Sequence, residues 1–464
     1  MSMVINTNSS ALNAIQNLER NKTEITSSMQ KLSSGLKING AADNSADLAI
    51  ATRMGAQIGS LIQASANAQA GVSLINIADG ALNSIAESAT ALRSLAMQAA
   101  NGTLTSTDRH SINKNAEALL QQINSVVSQT NFNGLNLLDG TLNTTLQVGT
   151  QAGDTIAIAI ASANTAEIGV FELTGTAVTA PLGANDLVIS GVNIDASVDD
   201  GLSYRDGSAS AIAIANAINA DHTNANVTAT ANPTVTSTVA FASTGTTNGS
   251  MTINGINTAS ITINGVLEDN VAQAIVAINE ISNATGVVAS ADSATGALVM
   301  TAEDGRNITV EYTDFANTDF GATAIETTAS SVTLASSEAI VISGNNPGHA
   351  GLTPGVNSTL TPLSSADLSS QANAVSSLAV IDGAIDMISN LRADLGAVEN
   401  RLYSMIENLS NSSVNLLEAK SQIMDTDFAI EMSNFAKLQI LQQASTTMLA
   451  QANQQPQGVL KLLG

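Results

Sequence analysis

Residues 54–92 read MGAQIGSLIQASANAQAGVSLINIADGALNSIAESATAL, with Met54, Ile58, Leu61, Ala68, Val72, Ile75, Leu82, Ile85 and Leu92 in steps of three, four and seven. An apolar spacing that averages 3.5 residues over such a length predicts a long helix packed as in a coiled coil. The same rule governs a second stretch, through Leu378, Ile381, Ile385, Ile388, Leu395, Val398, Leu402, Met405, Leu409 and Leu416. An interior proline costs a helix roughly 3 kcal/mol. The six prolines stand at 181, 233, 347, 354, 362 and 456, which leaves residues 1–180 and 363–455 as two proline-free arms. The run from 48 to 99 would make a rod ~78 Å long at 1.5 Å per residue. Asn101-Gly102-Thr103, then Thr107-Asp108, mark a turn and a helix N-cap, so a shorter helix should return antiparallel to about Gln129.

Toward the ends the pattern persists. Ala11, Ile15, Leu18, Lys22, Ile25, Met29, Leu32 and Leu36 alternate steps of four and three, with only Lys22 polar and Leu12 alongside. Phe428, Met432, Phe435, Leu438, Leu441 and Met448 recur at helical spacing near the other end. Burying one aliphatic side chain yields roughly 1.5–3 kcal/mol, so seven seam positions supply ~10–20 kcal/mol. Ordering some 40 residues costs about 1–2 kcal/mol each in backbone entropy, and isolated helices are marginal in water. The arms therefore need each other and neighbouring molecules. An assembly seam is expected at Leu12, Ile15, Leu18, Ile25, Met29, Leu32, Leu36, Phe428, Met432, Phe435, Leu438, Leu441 and Met448.

Charge separates the arms from the middle. The 464 residues carry 15 Lys+Arg against 39 Asp+Glu, a net charge of -24. Between 165 and 370 there are 20 acidic residues and only Arg205 and Arg306, so this segment alone carries -18. Such acidity argues against a nucleic-acid partner, which needs clustered Lys and Arg. The absence of Cys excludes disulfides, Cys-based zinc sites and thiol nucleophiles. No 18-residue window is free of polar side chains, so no membrane span is expected. The opening MSMVINTNSS lacks the basic and apolar regions of a secretory signal, which by itself reads as cytoplasmic.

The middle should be α+β. Thr155–Ile160 alternates with period two, and Ala297–Val310 holds an Asp304-Gly305 hairpin signal between β-rich runs. A repeat is also visible. Leu187–Val192, Ala213–Asn219 and Val227–Thr230 are echoed by Ile261–Val266, Ala274–Asn279 and Val287–Ser290, strand–helix–strand twice over. Chemistry is missing: there is no HExxH, GxSxG or GxxxxGK[ST] motif, so no catalytic residue, metal ligand or cofactor is expected. Asp195, Asp199, Asp200, Gly201 and Asp206 place Ala196 and Val198 where calcium-loop ligands belong, so an acidic turn is the better reading. Asp43, Asn44 and Asp47 read as the cap that opens a helix.

Several motifs carry a family resemblance. Ile5-Asn6-Thr7-Asn8 with KLSSGLKINGAAD (31–43), NGTLTSTD (101–108) and FNGLNLLDG (132–140) resemble the N-terminal signature of bacterial flagellin. LGAVENRL (395–402), IMDTDFA (423–429) and LAQANQQPQGVLKLL (449–463) resemble its C-terminal signature. The resemblance implies a subunit that self-polymerises into the extracellular flagellar filament. Export would proceed without a cleaved signal peptide, through the flagellar type III apparatus, in place of the cytoplasmic reading. It also implies junction and cap proteins of the hook-associated class as partners, and an export chaperone on the C-terminal helix. The implied division is an inner coiled-coil domain (1–42 with 425–464), a helical bundle with a β-hairpin (43–165 with 371–424), and variable outer domains (166–370). The two repeats of the outer part span about 185–231 and 251–303. The family's innate-immune receptor surface is matched at Arg93, Leu95, Ala96 and Gln98. Ala91 replaces its other basic residue and Ser94 its Glu. The alternative is a hook–filament junction protein, which shares the terminal helices. A surface adhesin would have no need of two heptad seams in the terminal arms.

Overall fold

The computed structural model describes residues 8–237, 247–293, 295–313 and 325–463. Its helices are α1 (Ser9–Ser34), α2 (Ser45–Ala99), α3 (Ser106–Gln129), α4 (Ala211–Ala220), α5 (His222–Ala225), α6 (Leu267–Glu280), α7 (Ser282–Thr285), α8 (Gln371–Met424) and α9 (Phe428–Leu463). Long arm helices with a middle of small strands and helices are the architecture expected from the sequence. Two compact units divide the chain: Met1–Ile75, Asn143–Ile158 and Ala397–Gly464 form one, Asn76–Leu142 and Ala159–Gly396 the other.

The first unit is helical with one β-hairpin. Its core takes Leu61 and Ala64 from α2 and Leu409 from α8, with Met405 and Leu416 packed against them. The strands Asn143–Gln147 and Thr155–Ala159 pair, and the second alternates as its sequence predicts, Ile156 and Ile158 buried between exposed neighbours. Gly71 lets this hairpin approach α2. A Cβ there would overlap Leu146 Cδ1 and lie 3.2 Å from Leu402 Cδ1.

The second unit begins with the remainder of α2, where Leu82, Ile85, Leu92 and Ala96 are fully buried. Arg109 turns the chain back into α3: its Nε donates to the Ala99 carbonyl and its Nη2 to that of Asn101, both at 2.8 Å. The cap of α3 is Thr105, not Thr107. Thr105 and Asp108 form a capping box, because Asp108 stands three residues on, where its carboxylate reaches back to the Thr105 N–H. Among α8 residues Ile381, Ala384 and Ile388 are buried, and the guanidiniums of Arg93 and Arg392 pair with Asp382 and Asp79. One α8 window has a mean hydropathy of 1.3. Ile381, Ala384 and Ile388 of this helix are covered by protein.

Within this unit a four-stranded antiparallel sheet runs in the order Thr359–Pro362, Gly169–Ala177, Ser331–Ser336, Val227–Ala231. Ile214 and Ile218 of α4 share its core with Leu173, Val227, Val332 and Leu334. A second module has its own core of Met251, Ile253, Ile263, Ile278, Leu298, Met300 and Ile308. The two modules share local features, beginning with a hairpin that is not the strand pair aligned from the sequence. Val188–Asn193 is a hairpin turning at Ser190-Gly191, and its counterpart is Thr252–Asn257, turning at Asn254-Gly255. All four turn residues have positive φ, as such two-residue turns require. In both modules the Asn one residue before the helix end clasps the next strand. Asn219 exchanges two hydrogen bonds with the Ala229 backbone, and Asn279 does the same with Ala289. Asp304-Gly305 does not make a hairpin: Leu298–Ala302 pairs with Val288–Ala291 and Thr234–Ser237, while Ile308–Thr313 pairs with Thr247–Ile253 and Glu326–Thr328. Asp304 instead binds Arg306, whose Nη1 donates to the Thr285 carbonyl at the end of α7.

The acidic loop is a turn. Asp200 accepts from the N–H groups of Leu202 and Ser203 and from the hydroxyls of Ser203 and Ser210. Asn44 accepts from the Ala46 and Asp47 N–H groups that open α2, whereas Asp43 accepts from the Asn39 and Gly40 N–H groups of the preceding loop. No group of three or more metal-ligating side chains occurs among the described residues.

Several carboxylates of the second unit sit below the usual carboxylate range. The Thr105 hydroxyl and N–H lower Asp108, the Thr141 hydroxyl and Asn136 lower Asp139, and Asn346 with the Gly183 N–H lowers Asp186. At Asp200 burial pushes upward, yet the Ser and backbone donors together hold it below its ordinary value. A carboxylate whose folded pKa is depressed contributes stability above its unfolded pKa and loses it as pH falls through the folded value. Asp386, raised by burial and then by Asp382, runs in the opposite sense and is outnumbered. The second unit is therefore expected to hold its full stability above about pH 4 and to lose it progressively below. Thermal melts followed by circular dichroism between pH 7 and pH 2.5 measure this; a melting temperature that rises with acidification would contradict it.

Candidate assembly surface on the terminal helices

Within the first unit, α1 and α9 pack together. Asn8 caps α1, its side-chain oxygen accepting from the Ala11 N–H at 3.0 Å, while Gly35 ends the helix at a φ of 73°. The chain then makes a short antiparallel bridge, Leu36 to Asp425, with Lys37 N–H donating to the Met424 carbonyl at 2.7 Å and Thr426 N–H to that of Gly35 at 2.9 Å. This knot holds the end of α1 beside the start of α9, where Phe428 lies 4.0 Å from the position a Gly35 Cβ would take.

A stripe of less exposed residues runs along α1 through Ala11, Ala14, Leu18, Asn21, Ile25, Ser28 and Leu32 to Gly35, with Ser27 and Lys31 at its flank. Its steps alternate three and four without a break. On α9 the matching set is Glu431, Phe435, Leu438, Gln442, Ser445, Leu449 and Ala452. These are the two facing stripes, tied by Asn21 Nδ2 to Ser445 Oγ at 3.2 Å and by Asn8 Nδ2 to the Ala452 carbonyl at 2.8 Å. Small and polar residues outnumber the large apolar ones in both, and within α1 only Ala11 and Ser28 are buried.

The residues expected to form the seam divide in two. Leu18, Ile25, Leu32, Leu36, Phe435 and Leu438 are half-buried. Leu12, Ile15, Met29, Phe428, Met432, Leu441 and Met448 are 40–66 % exposed, and Ile430 and Ile440, not singled out from the sequence, are 62 % and 67 % exposed. Sequence reasoning followed the large side chains and so passed over Ala14, Asn21, Ser28 and Gly35. On α9 it took Met448 and missed its neighbour Leu449, which is the half-buried one of the two. Ile5, Asn6 and Thr7 of the opening motif lie outside the described residues.

The receptor-like positions lie on α2. The Arg93 guanidinium is held by Asp382, which raises its pKa through the hydrogen bond and then through charge. Leu95 is half-buried and Gln98 exposed.

Comparison with known proteins is consistent from end to end. Residues 5–143 match the bacterial flagellin N-terminal helical region and residues 378–463 the bacterial flagellin C-terminal helical region. Flagellin of Salmonella typhimurium is 33% identical, with 100% of each chain covered. B-type flagellin of Pseudomonas aeruginosa is also 33% identical, again over 100% of both chains. The solved structure of FliC from Burkholderia pseudomallei is 20% identical, covering 71% of this chain and 99% of that one with a TM-score of 0.30. Full-length identity to proteins of one structural role, joined to helical arms of the expected kind, settles the family: the chain belongs to the bacterial flagellins, the structural subunits of the flagellar filament.

Proposed function

We propose that the outward columns of α1 and α9 are the surfaces by which this flagellin polymerises. The observation that carries the reading is the exposure of Leu12, Ile15, Met29, Phe428, Ile430, Met432, Ile440, Leu441 and Met448 on two helices whose mutual contact is built largely from small and polar side chains. Burying an aliphatic group yields roughly 1.5–3 kcal/mol, which the isolated chain forgoes at each of these positions. Free subunits then hold α1 and α9 weakly, and assembly completes their ordering. The divisions 1–42 with 425–464, 43–165 with 371–424, and 166–370 are the functional parts of this reading: inner seam, surrounding bundle and outer face. An acidic outer segment repels its neighbours where contact is unwanted.

The role is structural and non-enzymatic. The subunit works outside the cell after export without a cleaved signal peptide. Junction and cap proteins bound the polymer, and an export chaperone covers the apolar column of α9 until assembly. The α2 face around Arg93 matches the family's receptor surface only in part: Asp382 pairs with the guanidinium, and Ala91 and Ser94 depart from the family's pattern.

Adding a precipitating salt to purified monomer and viewing the product by negative-stain electron microscopy tests the reading. Long uniform filaments are expected. Short rings would favour a junction protein, and persistent monomers would remove the seam.

A further inference from the structure

In an Asn-Gly pair the glycine nitrogen can attack the asparagine carboxamide, because no Cβ shields its approach. The chain has six such pairs, beginning at 39, 101, 133, 248, 254 and 264. Two of them occupy turns of one form: Asn133-Gly134 has φ values of 51° and 80°, Asn254-Gly255 of 49° and 83°. Their side chains are held very differently. Asn254 Oδ1 accepts from the Thr309 N–H at 2.8 Å, and its Nδ2 donates to the Thr285 carbonyl at 3.1 Å. Asn133 is exposed, and its carboxamide has no hydrogen-bond partner among the described residues. Its hairpin is a sheet of two strands, pairing Asn131 with Asn136 and Phe132 with Leu135. So small an element opens locally at little cost. The other four pairs are restrained. The Gly40 N–H donates to Asp43, Asn101 Oδ1 accepts from the Thr103 N–H, and Asn264 is tied to Val266 and Asp269. Asn248 and Gly249 lie in a strand, opposite Thr262 and Ile261.

We infer that Asn133-Gly134 is a site of spontaneous self-modification, and that the fold protects Asn254-Gly255 from the same reaction. The Gly134 nitrogen bonds to Asn133 Cγ, the Cγ–Nδ2 bond breaks, and ammonia leaves with the proton of the Gly134 N–H. Water then opens the cyclic imide at either carbonyl, returning a proton to the nitrogen. The products are aspartate, or isoaspartate with the main chain routed through the side-chain carbon. Nothing is oxidised or reduced, and loss of ammonia makes the change irreversible. Each subunit therefore carries at this turn a record of its age. Isoaspartate adds a negative charge and lengthens the backbone by a methylene in a two-residue turn, just ahead of the fully buried Leu137 and Leu138. The inference is independent of the assembly reading, because the reaction belongs to the single subunit.

The purified full chain is held at mildly alkaline pH, where the attacking nitrogen loses its proton more readily, and sampled over weeks. Each sample is digested with pepsin in acid, which halts the reaction, and its peptides are weighed by mass spectrometry. Each hydrogen bond that must break before the carboxamide can turn slows the attack roughly two- to twelvefold. Asn133 is thus expected to convert about tenfold faster than Asn254, or more, while the chain is folded. In concentrated urea both pairs are free, and the two rates should draw together. Equal rates in the folded chain would overturn the inference. So would a ratio that persists in urea, because the difference would then belong to the neighbouring residues and not to the fold. A second readout labels isoaspartate with an isoaspartate-specific carboxyl methyltransferase and a radioactive methyl donor. Aged chain should take up label well above aged Asn133→Gly, a variant that keeps the turn because Gly-Gly adopts it readily. Equal labelling of the two would place the modification elsewhere and overturn the assignment.

Discussion

A chain lacking residues 440–464 is expected to remain monomeric in salt that drives the full chain into filaments. The deletion takes away Ile440, Leu441 and Met448, which are 67 %, 40 % and 66 % exposed in the free subunit. Re-burial of three such side chains between neighbours is worth about 5–9 kcal/mol, a change of more than about a thousandfold in the concentration needed for assembly. It also removes Ser445 and Ala452, the α9 partners of Asn21 and Asn8. Deleting residues 1–30 should act alike, because Leu12, Ile15 and Met29 go with them. In both truncations the second unit keeps its buried helices and should melt as in the full chain. Sedimentation velocity and electron microscopy read the first effect, circular dichroism the second. A truncated chain that still polymerises would refute the terminal-seam mechanism.

Gly351→Ala is expected to have the opposite profile, a large loss of stability with assembly intact. Gly351 has a φ of 73°, and a Cβ there would overlap the Thr176 carbonyl oxygen and stand 2.8 Å from its carbon. The Gly351 carbonyl accepts from the Thr176 N–H at 2.8 Å, so the two backbones cannot separate without giving up that bond. Left-handed backbone costs an alanine about 1–2 kcal/mol and the overlap a further 1–3 kcal/mol, roughly. A total of about 3 kcal/mol should fall on the first module, whose core includes Ala350 and Leu352. Urea unfolding measures the loss, with Gly348→Ala as the control because a Cβ there meets nothing within 4 Å. Equal stability of the two variants would show that the Thr176 strand yields more readily than its pairing indicates.

The arms were legible because a heptad repeat is a long-range average: one odd residue such as Lys22 does not hide it. Helix ends were read less accurately. Thr107-Asp108 looks like a cap by composition, but the box closes only where a hydroxyl precedes a carboxylate by three residues, which selects Thr105. Asp304-Gly305 failed as a hairpin for a different reason. A turn dipeptide reports that the chain reverses locally, not which strands pair, and here Arg306 and Thr285 claim the turn. Ile261–Val266 resembles Leu187–Val192 by composition, but the shared hairpins are VISGVN (188–193) and TINGIN (252–257), whose turn residues Ser190-Gly191 and Asn254-Gly255 have positive φ. At the terminal helices the large apolar residues were visible, but burial divides them between a facing stripe and an outward column. Met448 and Leu449 are adjacent and equally apolar, yet only the second turns toward α1. That phase depends on the partner helix and is not contained in either segment alone.

The second module enters the chain after Ala231 and returns at Ser331, and these two positions flank one rung of a single sheet. Val332 is opposite Ala231, and the Asn232 N–H donates to the Ser331 carbonyl at 3.0 Å. Adjacent strands are about 4.8 Å apart, so the intervening segment could be replaced by a two-residue turn without moving the strands it joins. The first module is thus a socket and the second a cassette that can be lengthened, shortened or exchanged while the sheet beneath keeps its pairing.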